Sequence, residues 1–171
     1  MTEPAPATAA LTPDDLAGQA GAPFTTAETE QALAVLRALA GWHIAPVQSD
    51  TVVLDHDGGP VAHLPTLRLV SVDLVEDLTV PDRPVTLTGV RASHAGMIHR
   101  AAGLPAGFGA LRVTFTHGYE TLPAELLPIA AAGARRRVLR ESLAGRSVEW
   151  DASETVRNDQ LTARYRLGAQ P

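Results

Sequence analysis

Apolar positions in the first forty residues follow the spacing of helices. Thr12 is placed to cap a short first helix. A second helix is predicted over residues 26–40, because Thr25 and Glu28 have the spacing of a capping box and Gly41 follows the last apolar position. Its buried face is a stripe of residues at three- and four-residue spacing: Ala32, Leu33, Leu36, Leu39 and Ala40.

The middle of the chain changes to the two-residue period of strands. Residues 51–61 predict a hairpin with Asp57 and Gly58 at its turn. Residues 67–74 alternate with one slip of phase, which is typical of a bulged strand. Two more strands are predicted at residues 85–88 and 111–116, the second with one buried face. The β-rich segment covers about residues 50–92.

An alanine-rich helix is predicted from about Leu122 to Leu143. Pro128 either kinks this helix or resets its start. Residues 130–134 are all alanine or glycine, a surface that lets another helix approach closely. The strand-like tail beyond it alternates Leu161, Ala163, Tyr165 and Leu167 with polar residues, so its pairing partner lies elsewhere in the domain or on another chain.

These elements predict an α+β fold with one main domain. Residues 1–10 are a flexible N-terminal arm, residues 11–145 form the domain, and residues 146–171 form an extended C-terminal arm. The domain is a small helical core, made of the N-terminal helices and the long alanine-rich helix, with an antiparallel β insertion. A length of 171 residues favours one domain over two.

Composition narrows the chemistry. The chain has no cysteine, which excludes disulfides, a cysteine-ligated zinc site and a thiol nucleophile. No apolar run approaches the ~20 residues that span a bilayer. The first residues lack the features of a signal peptide, so synthesis and first use in the cytoplasm are expected.

Charge is divided along the chain. Residues 1–90 hold three arginines and twelve acids, whereas residues 91–171 hold eleven arginines and seven acids, which together give the net charge of −5. The division suits contacts between unlike surfaces of neighbouring copies, or simply two solvated faces.

Few residues suggest a reaction. Asp55, His56, Asp57 and His63 could bind a divalent cation, but an Asp-Gly hairpin turn explains them as well. The glycine-rich stretch 103–109 lacks the Lys-Ser/Thr of a phosphate loop and is predicted to be a loop before a strand. The chain is therefore not expected to be an enzyme, and no cofactor is expected.

A basic run is the strongest candidate for contact with a partner. Arg136, Arg137 and Arg140 can share a helical face and could meet an acidic protein surface or DNA. Charge near a helix C-terminus and solubility explain the run equally well. The net charge of −5 argues against DNA binding as the main task.

The order of these features resembles the head–tail connector (adaptor) proteins of tailed bacteriophages. The segments that carry the resemblance are Leu-Thr-Pro-Asp-Asp-Leu-Ala-Gly at 11–18, Ala-Leu-Ala-Gly-Trp at 38–42, and Leu-Arg-Val-Thr-Phe-Thr-His-Gly-Tyr-Glu at 111–120 with Leu-Pro-Ala-Glu-Leu-Leu at 122–127. The resemblance covers about residues 11–145. It rests on order and composition, without an invariant catalytic motif.

The resemblance implies a structural virion protein of the neck, assembled in the host cytoplasm. Its subunits form a ring, commonly of twelve copies, beneath the portal. The ring extends the DNA channel without sequence-specific binding and gives the head-closure or tail-completion protein a docking surface. The partner-binding residues expected here are Arg136, Arg137, Arg140, Leu161, Ala163, Arg164, Tyr165, Arg166 and Leu167.

Two other classes of function stay open. One is a small cytoplasmic metal-dependent enzyme or binding protein that uses the Asp55–His63 cluster. The other is a minor DNA-binding protein that uses the arginine run.

Overall fold

The computed structural model describes residues 10–80, 83–142 and 163–168, with the backbone alone for 135–142. The predicted N-terminal arm and most of the predicted C-terminal arm, including Leu161, lie outside these residues. The described chain divides into two compact units. All the strands lie in Val47–Tyr119, the β unit, and the helices lie in the residues before and after it, the helical unit.

The helical unit begins with a short turn in place of the predicted first helix. This 3-10 turn spans Asp14–Leu16, and Pro13, not Thr12, is its N-cap. The Thr12 hydroxyl still accepts a hydrogen bond from the Asp15 N–H at 3.3 Å. Gly18 and Gly21 follow closely after this segment, so it does not extend into a longer α-helix.

Helix α1 spans Thr26–Ala40, the range that the sequence predicts. Its capping box is formed, since the Thr25 hydroxyl accepts from the Glu28 N–H at 3.3 Å and the Glu28 carboxylate accepts from the Thr25 N–H at 2.7 Å. Such a cap stabilises a helix by about 1 kcal/mol. The helix ends at Gly41, and the predicted stripe is buried except for Leu39, which is 45% exposed.

Helix α2 spans Leu127–Ser142 and follows a 3-10 turn over Ala124–Leu126. Pro128 lies in its first turn, where the missing N–H costs no helical hydrogen bond, so it sets the start of the helix and does not kink it. Helix α1 packs against α2. The alanines buried on α2 are Ala130, Ala131 and Ala134. Neither helix has both the length and the apolar content that a bilayer-spanning helix needs, within the described part of the chain.

The described residues of the β unit form seven strands: β1 (Gln48–Asp57), β2 (Val61–His63), β3 (Leu69–Asp77), β4 (Val85–Thr86), β5 (Val90–Ser93), β6 (Met97–Arg100) and β7 (Ala106–His117). They form one sheet of order β1-β7-β3-β4 and a second of order β2-β6-β5. Every pair is antiparallel, and the α+β fold class is confirmed.

Strand β7 is central in the first sheet, because it pairs with β1 on one edge and with β3 on the other. Its alternate side chains Leu111, Val113 and Phe115 are fully buried, as the sequence pattern predicts. Burying a side chain of this size stabilises the fold by about 2 kcal/mol. The same core includes residues of both sheets and of the loops beside them: Ala62, Leu64, Leu69, Val75, Ile98 and Leu104.

The hairpin predicted at residues 51–61 is wrong in its pairing. Strand β1 pairs with β7, and β2 pairs with β6 in the other sheet. The chain does turn there, because the Asp57 carboxylate accepts the Gly59 N–H at 2.8 Å. A turn fixes only the direction of the chain. A ten-residue strand gains more hydrogen bonds and burial along the twelve-residue β7 than along the three-residue β2.

Two irregular stretches of the sheets were anticipated in part. Strand β3 has two register shifts against β7 between residues 69 and 74, which confirms the bulged strand. The glycine-rich stretch 103–109 is only partly a loop, since β7 already begins at Ala106. Gly107 and Gly109 lie where the pairing of β1 with β7 is irregular.

The β5–β6 hairpin was not predicted, and its turn depends on Gly96. This residue has a φ of +81°, in the left-handed region. Its carbonyl accepts the Leu64 N–H at 2.7 Å. A Cβ atom at this position would lie 2.0 Å from the carbonyl oxygen of Thr66. Both the backbone angle and the close approach therefore require glycine.

Replacing Gly96 by alanine should destabilise the protein by about 3 kcal/mol or more, since the methyl group adds a backbone clash to left-handed strain. Gly89→Ala is the matched control, because Gly89 has a φ of +75° but a methyl group there would meet nothing within 4 Å. It should cost only about 1 kcal/mol. Urea unfolding of both variants measures the difference, and equal losses would contradict the clash.

Candidate functional site

Three of the four residues proposed as a metal site are hydrogen-bonded to backbone groups. The Asp55 carboxylate accepts the Gly109 N–H at 2.6 Å, and the Asp57 carboxylate accepts the Gly59 N–H. His63 is exposed on β2. Among the described residues, no group of three or more His, Asp or Glu side chains is arranged to hold a metal ion.

The ring of His56 joins the two ends of the same turn. Its Nδ1 accepts the Gly58 N–H at 3.0 Å, so Nε2 carries the hydrogen and donates to the Val61 carbonyl at 2.9 Å. The side chain is 8% exposed. Both ring nitrogens therefore have backbone partners, and His56 connects the end of β1 to the start of β2 by hydrogen bonds.

The arginine run lies on α2. The helical backbone continues through Arg136, Arg137 and Arg140, so residues three and four apart share a face as predicted. Their side chains lie outside the described atoms. A partner-binding role for them stays a prediction.

The C-terminal residues do not form the predicted strand where they are described. Ala163 and Arg164 lie in a helical turn, and the Arg166 N–H donates to the Ala163 carbonyl. Ala163, Arg164 and Arg166 are exposed, whereas Tyr165 and Leu167 are half-buried. Alternation of apolar and polar residues did not produce a strand because Tyr165 is bound to the helical unit on both its carbonyl and its hydroxyl.

Two hydrogen bonds anchor Tyr165. The indole N–H of Trp42, just after α1, donates to the Tyr165 carbonyl at 2.7 Å. The Tyr165 hydroxyl donates to the Glu125 carboxylate at 2.5 Å. Trp42 is 5% exposed, and a buried indole N–H needs such an acceptor. In the sequence, the indole N–H of Trp42 indicates that an acceptor is required if the ring is buried. The sequence does not identify which carbonyl is that acceptor.

The Thr-His-Gly-Tyr motif at 116–119 has a structural role at the end of β7. The His117 side chain is 3% exposed, and its Nε2 donates to the Asp50 carboxylate on β1 at 2.9 Å. The guanidinium of Arg68 lies 5.6 Å from the centre of the Tyr119 ring, within cation–π range. The motif thus holds β1 and the start of β3 at this end of the sheet.

Comparisons with known proteins identify one group of similar structures. No protein-family model matches the chain, and no curated protein matches it by sequence. A chain in the neck of an empty gene transfer agent (GTA) particle, computed with C6 symmetry, is similar with a TM-score of 0.65 and 17% identity, over 95% of this chain and 94% of that one.

Two further chains agree with it. One, from the neck of the native GTA particle computed with C12 symmetry, has a TM-score of 0.60 and 18% identity over 85% of both chains. Another, from the virion of the native GTA particle, has a TM-score of 0.64 and 17% identity over 95% of this chain and 92% of that one. At this identity the likeness shows a shared fold. The predicted resemblance to head–tail connector proteins is confirmed at that level.

The anchoring of Tyr165 predicts a measurable coupling. Tyr165→Phe and Glu125→Ala should each lower the free energy of unfolding by about 1 kcal/mol, and the double variant should lose no more than either single one. Chemical unfolding of the four proteins gives the coupling energy. Fully additive losses would show that the hydroxyl and the carboxylate do not interact in solution.

Because His56 bonds to backbone groups on both sides of the turn, we expect its removal to destabilise the protein whether or not a metal ion is present. His56→Ala should cost about 1–2 kcal/mol because two backbone groups lose their partner. His63→Ala, on the exposed face of β2, should stay within about 0.5 kcal/mol. Thermal unfolding with and without zinc or manganese tests both points. A metal-induced rise in melting temperature that the double variant loses would restore the metal-site hypothesis.

Proposed function

We propose that this chain is a structural neck subunit of a tailed-phage-like particle, a head-to-tail adaptor that forms a ring beneath the portal. The shared fold with the neck chains of the GTA particle carries this proposal, since it extends over 95% of this chain at a TM-score of 0.65. The motifs that resemble connector proteins lie in both units of that fold. No reaction is assigned to the subunit.

The ring is proposed to contain twelve copies. The C12 and C6 symmetries of the similar neck assemblies support this number. A ring of identical subunits needs a heterologous contact, in which two different patches meet and the rotation closes. Unlike charge on the two patches would favour this contact, and the sequence holds most of its acids in the first half and most of its arginines in the second.

The ring is proposed to join the portal on one side to a head-closure or tail-completion protein on the other. Genomic DNA passes through its lumen without sequence-specific contacts. Arg136, Arg137 and Arg140 on α2 are proposed to meet an acidic partner surface. The exposed side chains of Arg164 and Arg166 add two further donors for carboxylates.

Deleting the gene from the genome that encodes it tests this role. Particles made without the subunit should be heads that lack tails, since the docking surface for the next neck component is missing. Electron microscopy of the particles measures this, and supply of the wild-type chain should restore tailed particles. Normal tailed particles in the deletion strain would refute the adaptor role.

The same assay tests the arginine run. Supply of a chain with Arg136, Arg137 and Arg140 all changed to Glu should leave heads without tails, because reversed charge opposes docking. Circular dichroism should show a folded protein, because contacts that form only with a partner do not contribute to the stability of the free chain. An unfolded variant would point to a structural role, and full rescue would leave the run as solvated charge.

A further inference from the structure

We propose that Phe108 of one copy inserts into an apolar depression on the second sheet, β2-β6-β5, of the neighbouring copy. This contact rests on the proposed ring and names the surfaces that would close it. Both surfaces lie within the β unit.

Phe108 is presented to solvent by a fixed backbone. Its side chain is 96% exposed, and no other large apolar side chain among the described residues is more than 54% exposed. It stands on β7 between Gly107 and Gly109, whose φ angles are +141° and +59°. The Gly109 N–H donates to the Asp55 carboxylate at 2.6 Å, which ties this irregular part of β7 to β1. The backbone that carries the phenyl ring is thus bonded to β1.

One apolar and two acidic residues of β1 lie beside the part of β7 that carries Phe108. Val53 on β1 is 54% exposed, and its Cγ1 lies 3.6 Å from where a Cβ on Gly109 would be. Asp55 and Asp57 are exposed on the same face of β1, because they follow Val53 at the two-residue strand period. We call this surface, made of Val53, Asp55, Asp57 and Phe108, the knob.

The second surface is a depression of about 300 Å³ on the second sheet, open on one side. Its apolar lining includes Val61 and Met97, which are 41% and 37% exposed. Arg91 and His99 lie beside them, and Arg91 is exposed. We call this surface the socket. An enclosed cavity of about 150 Å³ holds benzene in another protein, so the socket has room for a phenyl ring.

Knob and socket match in both polarity and charge. The phenyl ring would meet the apolar side chains of Val61 and Met97, while Asp55 and Asp57 of the knob would face Arg91. A guanidinium can also lie against an aromatic ring and bind a carboxylate. The two surfaces share no residue, so one copy can use its knob and its socket at once. That is the heterologous contact that a closed ring requires.

Cysteine cross-linking tests the contact directly, because the chain contains no cysteine of its own. The full-length chain with Phe108→Cys and Met97→Cys should give, after oxidation, a ladder of covalent oligomers on a non-reducing gel. A mixture of the two single variants should give dimers only. Val85→Cys with Met97→Cys is the matched control, since Val85 is exposed on β4 outside both surfaces, and should give no ladder.

The outcomes separate the contact from the ring. Oligomers in analytical ultracentrifugation without a cross-linked ladder would refute the contact and leave the ring standing. Covalent dimers of the double variant that do not extend would mean two-fold pairing, and would also refute it. Monomers at every concentration, with no ladder, would count against both the contact and the ring.

A second measurement uses the interface without cysteine. Phe108→Ser should weaken self-association at least about tenfold, because burial of the phenyl ring is lost. Its melting temperature should not fall, since the side chain contacts solvent in the monomer. Val85→Ser is the control and should leave self-association unchanged. Equal association of the Phe108→Ser variant and the wild type would refute the proposal.

Discussion

Strand β7 has to bury Leu111, Val113 and Phe115 on one face while both of its edges are hydrogen-bonded to neighbours. A shift of one residue in its pairing would turn Arg112 and Thr114 into the core, which is why the register is strongly fixed. Side chains near both ends reinforce that register. The His117–Asp50 bond ties β7 to β1 at one end, and the bond from Gly109 to Asp55 ties them near the other.

Features that depend on neighbours in the sequence could be predicted. The bounds of α1 followed from a capping box and a terminal glycine, and the burial of β7 followed from its alternation. The β1–β7 pairing could not be predicted, because a turn signal at Asp57 and Gly58 says nothing about which distant strand offers the longest partner. The contact between Trp42 and Tyr165 joins residues 123 positions apart. This contact holds Tyr165 against the helical unit, although the local alternation of apolar and polar residues favours a strand there.

The sequence carries weaker signals for the candidate binding surfaces than for the fold, and the reason is physical. Binding surfaces of an assembly subunit are completed by another chain, so their residues carry no periodicity or motif within one sequence. The cluster at Asp55–His63 attracted attention because its residue types suit metals, yet His56 serves the backbone around a turn. Phe108 lay in a stretch singled out for its glycines. Those glycines allow the irregular backbone from which the phenyl ring projects.

The outer edge of strand β1 affects how copies of the chain can associate at high local concentration. Its pairing with β7 leaves the opposite edge without a strand partner among the described residues. An edge of ten residues is a template for indiscriminate pairing between chains. Asp50, Asp55 and Asp57 are spaced along it. Two such edges that approach each other bring acid toward acid, so repulsion opposes that pairing and favours encounters between unlike surfaces.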